Sequence, residues 1–331
     1  MQEHAGQNLR VQQLVFFTAL ILFILKIFAW WLTASVAILT DALESTVNVI
    51  AGGVGLYSIY LSGIPRDENH PYGHGKVEFI SAAIEGTLIM LAGFLIIYEA
   101  VDNLRHPHVF RQLDYGILLI AVTALINFGV GHFAIRRGIK NKSLALEASG
   151  RHLQSDTYST LGILAGLALL YFTKIAWIDS ATALIFAFLI IFTGWKILRS
   201  SVAGIMDESD KELLKEMIEY LEQNRSENWV DLHNLRIIKY GGFLHLDCHL
   251  TVPWFLDVHE AHREIDRLEK LIIDKYGERV ELFVHTDGCL DFSCRICDKP
   301  DCPARKHLFE KKIHWNLENI LSDKKHSISD F

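Results

Sequence analysis

Up to about residue 200 the sequence is dominated by six apolar runs, at roughly 12–33, 35–62, 77–104, 113–135, 145–173 and 176–198. Each reaches the ~20 residues that a helix needs to cross the hydrocarbon core of a bilayer. Inside lipid every backbone N–H and C=O must be bonded within the chain, so runs of this length fold as helices. The pattern predicts an all-α transmembrane domain of six helices over 12–204, preceded by a short N-terminal stretch at 1–11. The first run extends from about Leu14 through Leu32, too long for the apolar part of a secretory signal, and no small-residue cleavage site follows it. It reads as a retained span.

An even number of spans puts both termini on one side. Arg66 and Lys76 lie in the 62–76 loop, and Arg136, Arg137, Lys140 and Lys142 lie in the 136–142 loop. Arg10 precedes the first run, and Lys196 and Arg199 follow the last. The opposite connections offer only Arg105, Arg111 and Lys174. The positive-inside bias predicts a multi-pass protein of the cell (inner) membrane with cytoplasmic N- and C-termini and a cytoplasmic 62–76 loop. A net charge of −7, with no basic stripe, argues against a nucleic-acid partner.

Past residue 204 the composition becomes charged and ordinary. An amphipathic helix is predicted at 210–224, and a β-hairpin from "LRIIKY" and "FLHLDCHLTV" around Gly241-Gly242. A second helix at 257–276 has Asp257 as its cap, and "VELFVHTD" at 280–287 is a third strand. These make a small cytoplasmic α+β domain over 205–290. A Cys-rich segment and a terminal helix at 304–323 are expected within 291–331.

Several groups of residues carry metal-binding chemistry. His152 and Asp156 are four apart in the fifth run, and Glu44 and Asn48 are four apart in the second, so each pair shares a helix face. Ionisable groups inside a membrane are costly and face a cavity or a partner. Two such pairs supply the four N and O donors of a tetrahedral divalent site. The plainer alternative is that they are interhelical hydrogen bonds. Asp41 reads as a neighbour near the helix end, and Lys26 as a cavity-facing or snorkelling cation. In the 62–76 loop Asp67, His70 and His74 surround a Gly/Pro-rich turn and suggest a second site. In the soluble part His233, His249, His262, His285 and Asp287 form a third candidate set, with His245 two strand steps from His249. Four of the five cysteines, Cys289, Cys294, Cys297 and Cys302, read C-x4-C-x2-C-x4-C. An odd count with this clustering points to reduced thiols or a metal. The C-x2-C core is a zinc-knuckle element, with iron–sulfur ligation as the weaker alternative.

"TASVAILTDALESTVN" at 33–48, "DENHPYGHGKVE" at 67–78, "HLQSDTYS" at 152–159 and the closing "VHTD" at 284–287 together resemble the cation diffusion facilitator family over nearly the whole chain. The resemblance implies a homodimer in the lipid bilayer, with a ferredoxin-like, metallochaperone-like cytoplasmic domain. It implies export of divalent metal in exchange for protons and no enzymatic activity. By position it places the transport site on Glu44, Asn48, His152 and Asp156, and a loop site on Asp67, His70 and His74. It places regulatory dimer-interface metals on His233, His249, His262, His285 and Asp287. Lys76 and Asp207 match a charged pair that locks the dimer near the membrane surface. The pair Glu44/Asn48 departs from the carboxylate-rich or histidine-containing pair of zinc members. Zinc is expected first as cargo, with iron, cobalt, nickel and manganese as alternatives. The Cys cluster is expected to be a structural zinc knuckle or a metal sensor. The competing readings are a non-transporting metal sensor and an intramembrane metalloenzyme.

Overall fold

The six apolar runs are six long helices: α1 (Gln2–Thr33), α2 (Val36–Ser62), α3 (Val77–Arg105), α4 (Leu113–Lys140), α5 (Leu144–Thr173) and α6 (Trp177–Ile205). The computed structural model describes residues 2–106, 113–140, 144–240, 243–277 and 280–328. Gly241-Gly242, the expected hairpin turn, and the 107–112 connection lie outside the described residues. The chain divides into two compact units, one of Met1–Tyr60 with Glu78–Val202, the other of Leu61–Val77 with Ala203–Phe331.

In the first unit α1, α3, α4 and α6 are long and apolar enough to cross a membrane, with no more than a third of each apolar window buried against protein. Phe17, Trp31, Phe94, Leu125, Phe172 and Phe188 all point outward. Helices that are apolar all round need lipid on their outer faces, so this unit is an integral membrane domain. The other two helices, α2 and α5, are those that carry Asp41, Glu44, Asn48, His152 and Asp156. α2 sits between two cores. Ala37 and Ile38 pack with Ala29, Ile120, Ile163 and Leu167, while Val36 packs with Ile96, Ala100, Ala183 and Ala187.

Close approach of the helices depends on small residues. A Cβ on Gly150 of α5 would stand 2.6 Å from the Gly131 carbonyl of α4, and one on Gly86 of α3 would stand 2.8 Å from the Gly194 carbonyl of α6. The start of α2 is held from another helix. Asp179, in the first turn of α6, accepts bonds from Ser35 Oγ (2.5 Å) and the Val36 N–H (2.7 Å). A helix N-terminus leaves its first N–H groups unsatisfied, and here a buried carboxylate 143 positions away answers one of them.

The second unit contains α7 (Lys211–Gln223), β1 (Asp231–Tyr240), β2 (Phe243–Val252), α8 (Val258–Tyr276) and β3 (Val280–Gly288). The sheet order is β1-β2-β3, with β1 and β2 antiparallel and β2 and β3 parallel. The element order is α-β-β-α-β, a three-stranded sheet with two helices. Both helices begin where capping chemistry says they should. Asp210 accepts the Leu213 N–H at 3.0 Å, and Asp257 and Glu260 form a reciprocal capping box. Trp229, Leu232, Leu246, Leu250, Met217 and Leu268 fill the core between helices and sheet.

The terminal helix expected at 304–323 is not formed: the segment runs as turns and extended chain. Its buried positions are Ile313, Trp315 and Ile320, and the spacing of two between the first pair belongs to extended backbone. Asn316 Oδ1 draws in the N–H groups of Glu318 and Asn319 and makes a turn. Leu235 N–H bonds to the Ile320 carbonyl and Asn234 N–H to the Ser322 carbonyl, so the segment lines the β1 edge. Burial against the sheet overrides its helical propensity.

Candidate metal centres

The polar residues of α2 and α5 meet inside the first unit. Asn48 Nδ2 donates to Asp156 Oδ2 at 3.0 Å, and His152 Nε2 lies 3.9 Å from Asp156 Oδ1. Glu44, Asn48, His152 and Asp156 line one cavity of about 240 Å³, together with Ser155, Ser159 and Glu85 of α3. The four surround a common space without closing on one point. Beside this cavity Lys26 of α1 is buried to 2 % exposure and donates to Asp41 Oδ1 and Ser45 Oγ, both at 2.9 Å. Thr160 Oγ1 donates to the same Asp41 oxygen at 2.8 Å. Lys26 is therefore an internal counter-ion, tying α1, α2 and α5 together at the edge of the site. Glu85 was not singled out from sequence, although an ionisable residue in mid-span is the signal that marked the others.

Among the described residues two groups bring three ligand atoms within 4.8 Å of one another, Asp67–His70–His74 and His233–His249–Asp287. The first is built by a tight turn in which Asp67 Oδ1 accepts the N–H groups of Asn69 and His70 at 2.9 and 2.7 Å. His70 Nδ1 is 3.0 Å from Asp67 Oδ1 and His74 Nε2 is 3.5 Å from Oδ2. The turn is fastened to the sheet. Arg66 forms a two-pronged pair with Glu281 (2.9 and 2.6 Å), Tyr72 stacks on Tyr240, and Lys76 bonds Asp207 at 2.9 Å. The hydrogen bonds from Arg66 are the main reason that the Glu281 carboxyl is held below its ordinary range.

The second group follows from strand register. His233 on β1 pairs with His249 on β2, which pairs with His285 on β3, so three imidazoles form a row across the sheet. Asp287, two residues beyond His285, shares that face. Its carboxylate lies 3.7 Å from His233 Nε2, 3.5 Å from His249 Nδ1 and 3.7 Å from His285 Nε2. An irregularity in the β1 register between His233 and Arg236, with Asn234 at φ 52°, lies beside the row. His262 is not brought into this group. It projects from α8, 3.6 Å from Asp266, into a groove that it shares with Trp254 and with Asp287. His245 faces Glu281 and Tyr72, away from the row.

The C-terminal segment supports the row. Lys325 Nζ lies 3.3 Å from Asp287 Oδ1. His326 Nδ1 is 2.6 Å from Asp231 Oδ1, its Nε2 is 3.0 Å from the Asn319 carbonyl, and its backbone N–H reaches Asp231 Oδ2 at 2.9 Å. Both ring nitrogens face acceptor oxygens, which fixes the orientation of the ring. Asp231 in turn lies 3.4 Å from His233 Nδ1. Burial pushes the Asp231 carboxyl up, but the contacts with His233 and His326 outweigh it and hold the group far below its usual range. A carboxylate behind a histidine fixes the tautomer that leaves the other nitrogen free for metal. Sequence reasoning missed Asp231 and His326, because their partnership joins positions 95 apart.

The four cysteines lie in the segment that follows β3, none in a disulfide, and their ligand atoms are not gathered as closely as those of the two His/Asp groups.

Residues 13–206 match the cation efflux transmembrane domain, and residues 209–289 match the cytoplasmic domain of cation efflux proteins. An uncharacterized transporter of Synechocystis is 32 % identical over 257 residues, covering 77 % of this chain and 83 % of the relative. The cation-efflux pump FieF of Pectobacterium carotovorum is 27 % identical, covering 81 % of this chain and 89 % of the pump. The manganese efflux system protein MneS of Bacillus subtilis is 26 % identical, with 78 % and 88 % covered.

Proposed function

The chain belongs to the cation diffusion facilitator family of membrane cation efflux proteins, which are transporters and not enzymes, and on that premise we propose that it is a homodimeric, six-span antiporter that exports a divalent metal ion from the cytoplasm in exchange for protons. The observation that carries this reading is the shared cavity of Glu44, Asn48, His152 and Asp156, four donors from two helices at one polar centre.

Charge balance supplies the mechanism. With Asp41 neutralised by Lys26, the four donors when ionised carry the two negative charges of Glu44 and Asp156; Glu85, on the wall of the same cavity, is not one of these donors. One divalent cation cancels them. A charge left uncompensated in this environment costs several kcal/mol, so the unloaded centre reaches neutrality by taking up protons. Metal binding requires deprotonated ligands, and loading from the cytoplasm expels those protons. Rocking of the helices then opens the site to the other side, where protons displace the metal. The groups at Asp67–His70–His74 and at His233–His249–Asp287 with His285 bind metal on the cytoplasmic side. Their occupancy favours the transporting arrangement of the dimer, an effect of differential affinity for two states. His262 contributes to the dimer-interface sites.

Zinc is the first expectation for the cargo. The donor set favours manganese or iron as the second reading, because three of its four donors are oxygen-bearing side chains and such sets suit harder ions. In proteoliposomes carrying an internal pH dye, Asp156→Ala is expected to abolish both metal uptake and the coupled proton flux across a panel of zinc, manganese, iron, cobalt and nickel. Undiminished transport would sink the assignment. Metal binding without any flux in the unaltered protein would favour the sensor reading.

A further inference from the structure

Between Cys289 and Lys312 the chain has no strand and only one short helical turn, Asp291–Arg295, and Ile296 is its single buried hydrophobic residue. A stretch with so little apolar surface to bury is held by something else, commonly a metal cross-link.

The four cysteines are placed to provide it. Cys289 follows directly on β3 and its N–H bonds to the Val252 carbonyl at 2.8 Å, so one thiol is fixed to the sheet. Its sulfur lies in electrostatic range of Cys294, Cys297 and Cys302. Cys294 Sγ accepts the Lys306 N–H at 3.5 Å. A neutral thiol is a weak acceptor, whereas a thiolate is a strong one, and bonds of this kind surround metal-bound thiolates. Arg305 shapes the loop by donating to the carbonyls of Cys294 (3.2 Å), Cys297 (3.2 Å) and Lys299 (2.5 Å). Lys306 pairs with Asp291 at 2.9 Å.

We propose that Cys289, Cys294, Cys297 and Cys302 bind one zinc ion per chain as a structural tetrathiolate site, separate from any transported metal. Four thiolates in tetrahedral array at about 2.3 Å suit zinc. The sulfurs stand farther apart than the ligand atoms of the two His/Asp groups, and rotation about the cysteine χ1 bonds draws them onto the ion. The consequence is mechanical. The zinc ties the loop to the end of β3 and so sets the path of the segment that later delivers Lys325 to Asp287 and His326 to Asp231.

The test uses the full-length protein purified without chelator and dialysed against a weak one. Elemental analysis is expected to find one zinc per chain more in the unaltered protein than in the Cys294→Ser/Cys297→Ser variant. His249→Ala should retain that zinc, which separates this site from the histidine row. Replacement by cobalt should give a sulfur-to-cobalt charge-transfer band, which His and Asp ligands cannot produce. An experiment on the unaltered protein alone covers the case in which the variant does not fold. Zinc should protect four cysteines from alkylation, read by peptide mass. Cys248, whose thiol burial pushes up to about 12, stays unreactive either way and serves as internal control. Equal alkylation with and without zinc, a disulfide among the four, or an iron–sulfur chromophore would each overturn the proposal. Its outcome does not depend on whether the protein transports metal.

Discussion

Replacing Asn48 by Asp tests the charge argument at its most sensitive point. In the unaltered protein the Asn48 amide donates to Asp156 at 3.0 Å. In Asn48→Asp two carboxylates face each other across that distance. At an effective dielectric of about 20 their repulsion is about 5 to 6 kcal/mol when both are ionised, a factor of roughly ten thousand in the population of that state. Neutrality of the empty cavity then requires both to be protonated, one proton more than in the unaltered protein, and both protons leave when metal arrives. The variant is expected to release one more proton per bound metal than the unaltered protein, and its metal affinity should fall more steeply as pH is lowered. Titration calorimetry in two buffers of different ionisation enthalpy counts the released protons directly. An extra carboxylate also improves the site for zinc relative to neutral amide oxygen, so the ratio of zinc to manganese uptake should rise. If the proton count and the pH dependence are the same in both proteins, residue 48 does not face Asp156 in the metal-binding state, and the electrostatic account of the centre fails.

Other consequences are open to measurement. Lys26→Met leaves Asp41 buried without its counter-ion and should cost about 3 to 5 kcal/mol, while Lys26→Met with Asp41→Asn should recover most of the loss in a detergent melting assay. Gly150→Ala places a Cβ within 2.6 Å of the Gly131 carbonyl and should destabilise by about 1 to 3 kcal/mol, forcing α4 from α5 two residues before His152 and slowing transport. Asp231 has a folded-state pKa depressed below its ordinary 3.8, so its stabilisation is complete above that value and is lost as pH falls below it. Asp231→Asn should flatten the acid limb of a stability-against-pH curve for the second unit, and an unchanged limb would show that the His326 contact carries no weight.

The six helices were legible because lipid imposes one solution on a long apolar run, although α1 begins ten residues before its run, within the stretch expected as a separate N-terminus, and α6 ends seven residues after its run. The two pairs on α2 and α5 were legible for the same reason, since polar groups violate that rule conspicuously. α8 could be placed from Asp257 and Glu260 alone, because capping is a local code. What stayed hidden depends on distant partners. Nothing near Asp179 in sequence marks it as the cap of α2, and nothing near His326 points to Asp231. The segment at 304–323 misled because its propensity is helical, while Trp315 and Ile320 join the core of the second unit and the carbonyls of Ile320 and Ser322 bond to β1, in a conformation that no local pattern announces.

The Lys26–Asp41 pair has a consequence for what can drive the transporter. Because that pair is internally neutral, the proposed centre is uncharged both with one divalent ion and with two protons aboard. No net charge then crosses the bilayer in either half of the cycle. The membrane potential, worth about 2.3 kcal/mol per elementary charge per 100 mV, does no work on such an exchange. The export gradient is set by the pH difference alone. A fixed lysine in the first helix would thus make the protein indifferent to voltage and responsive only to acidity.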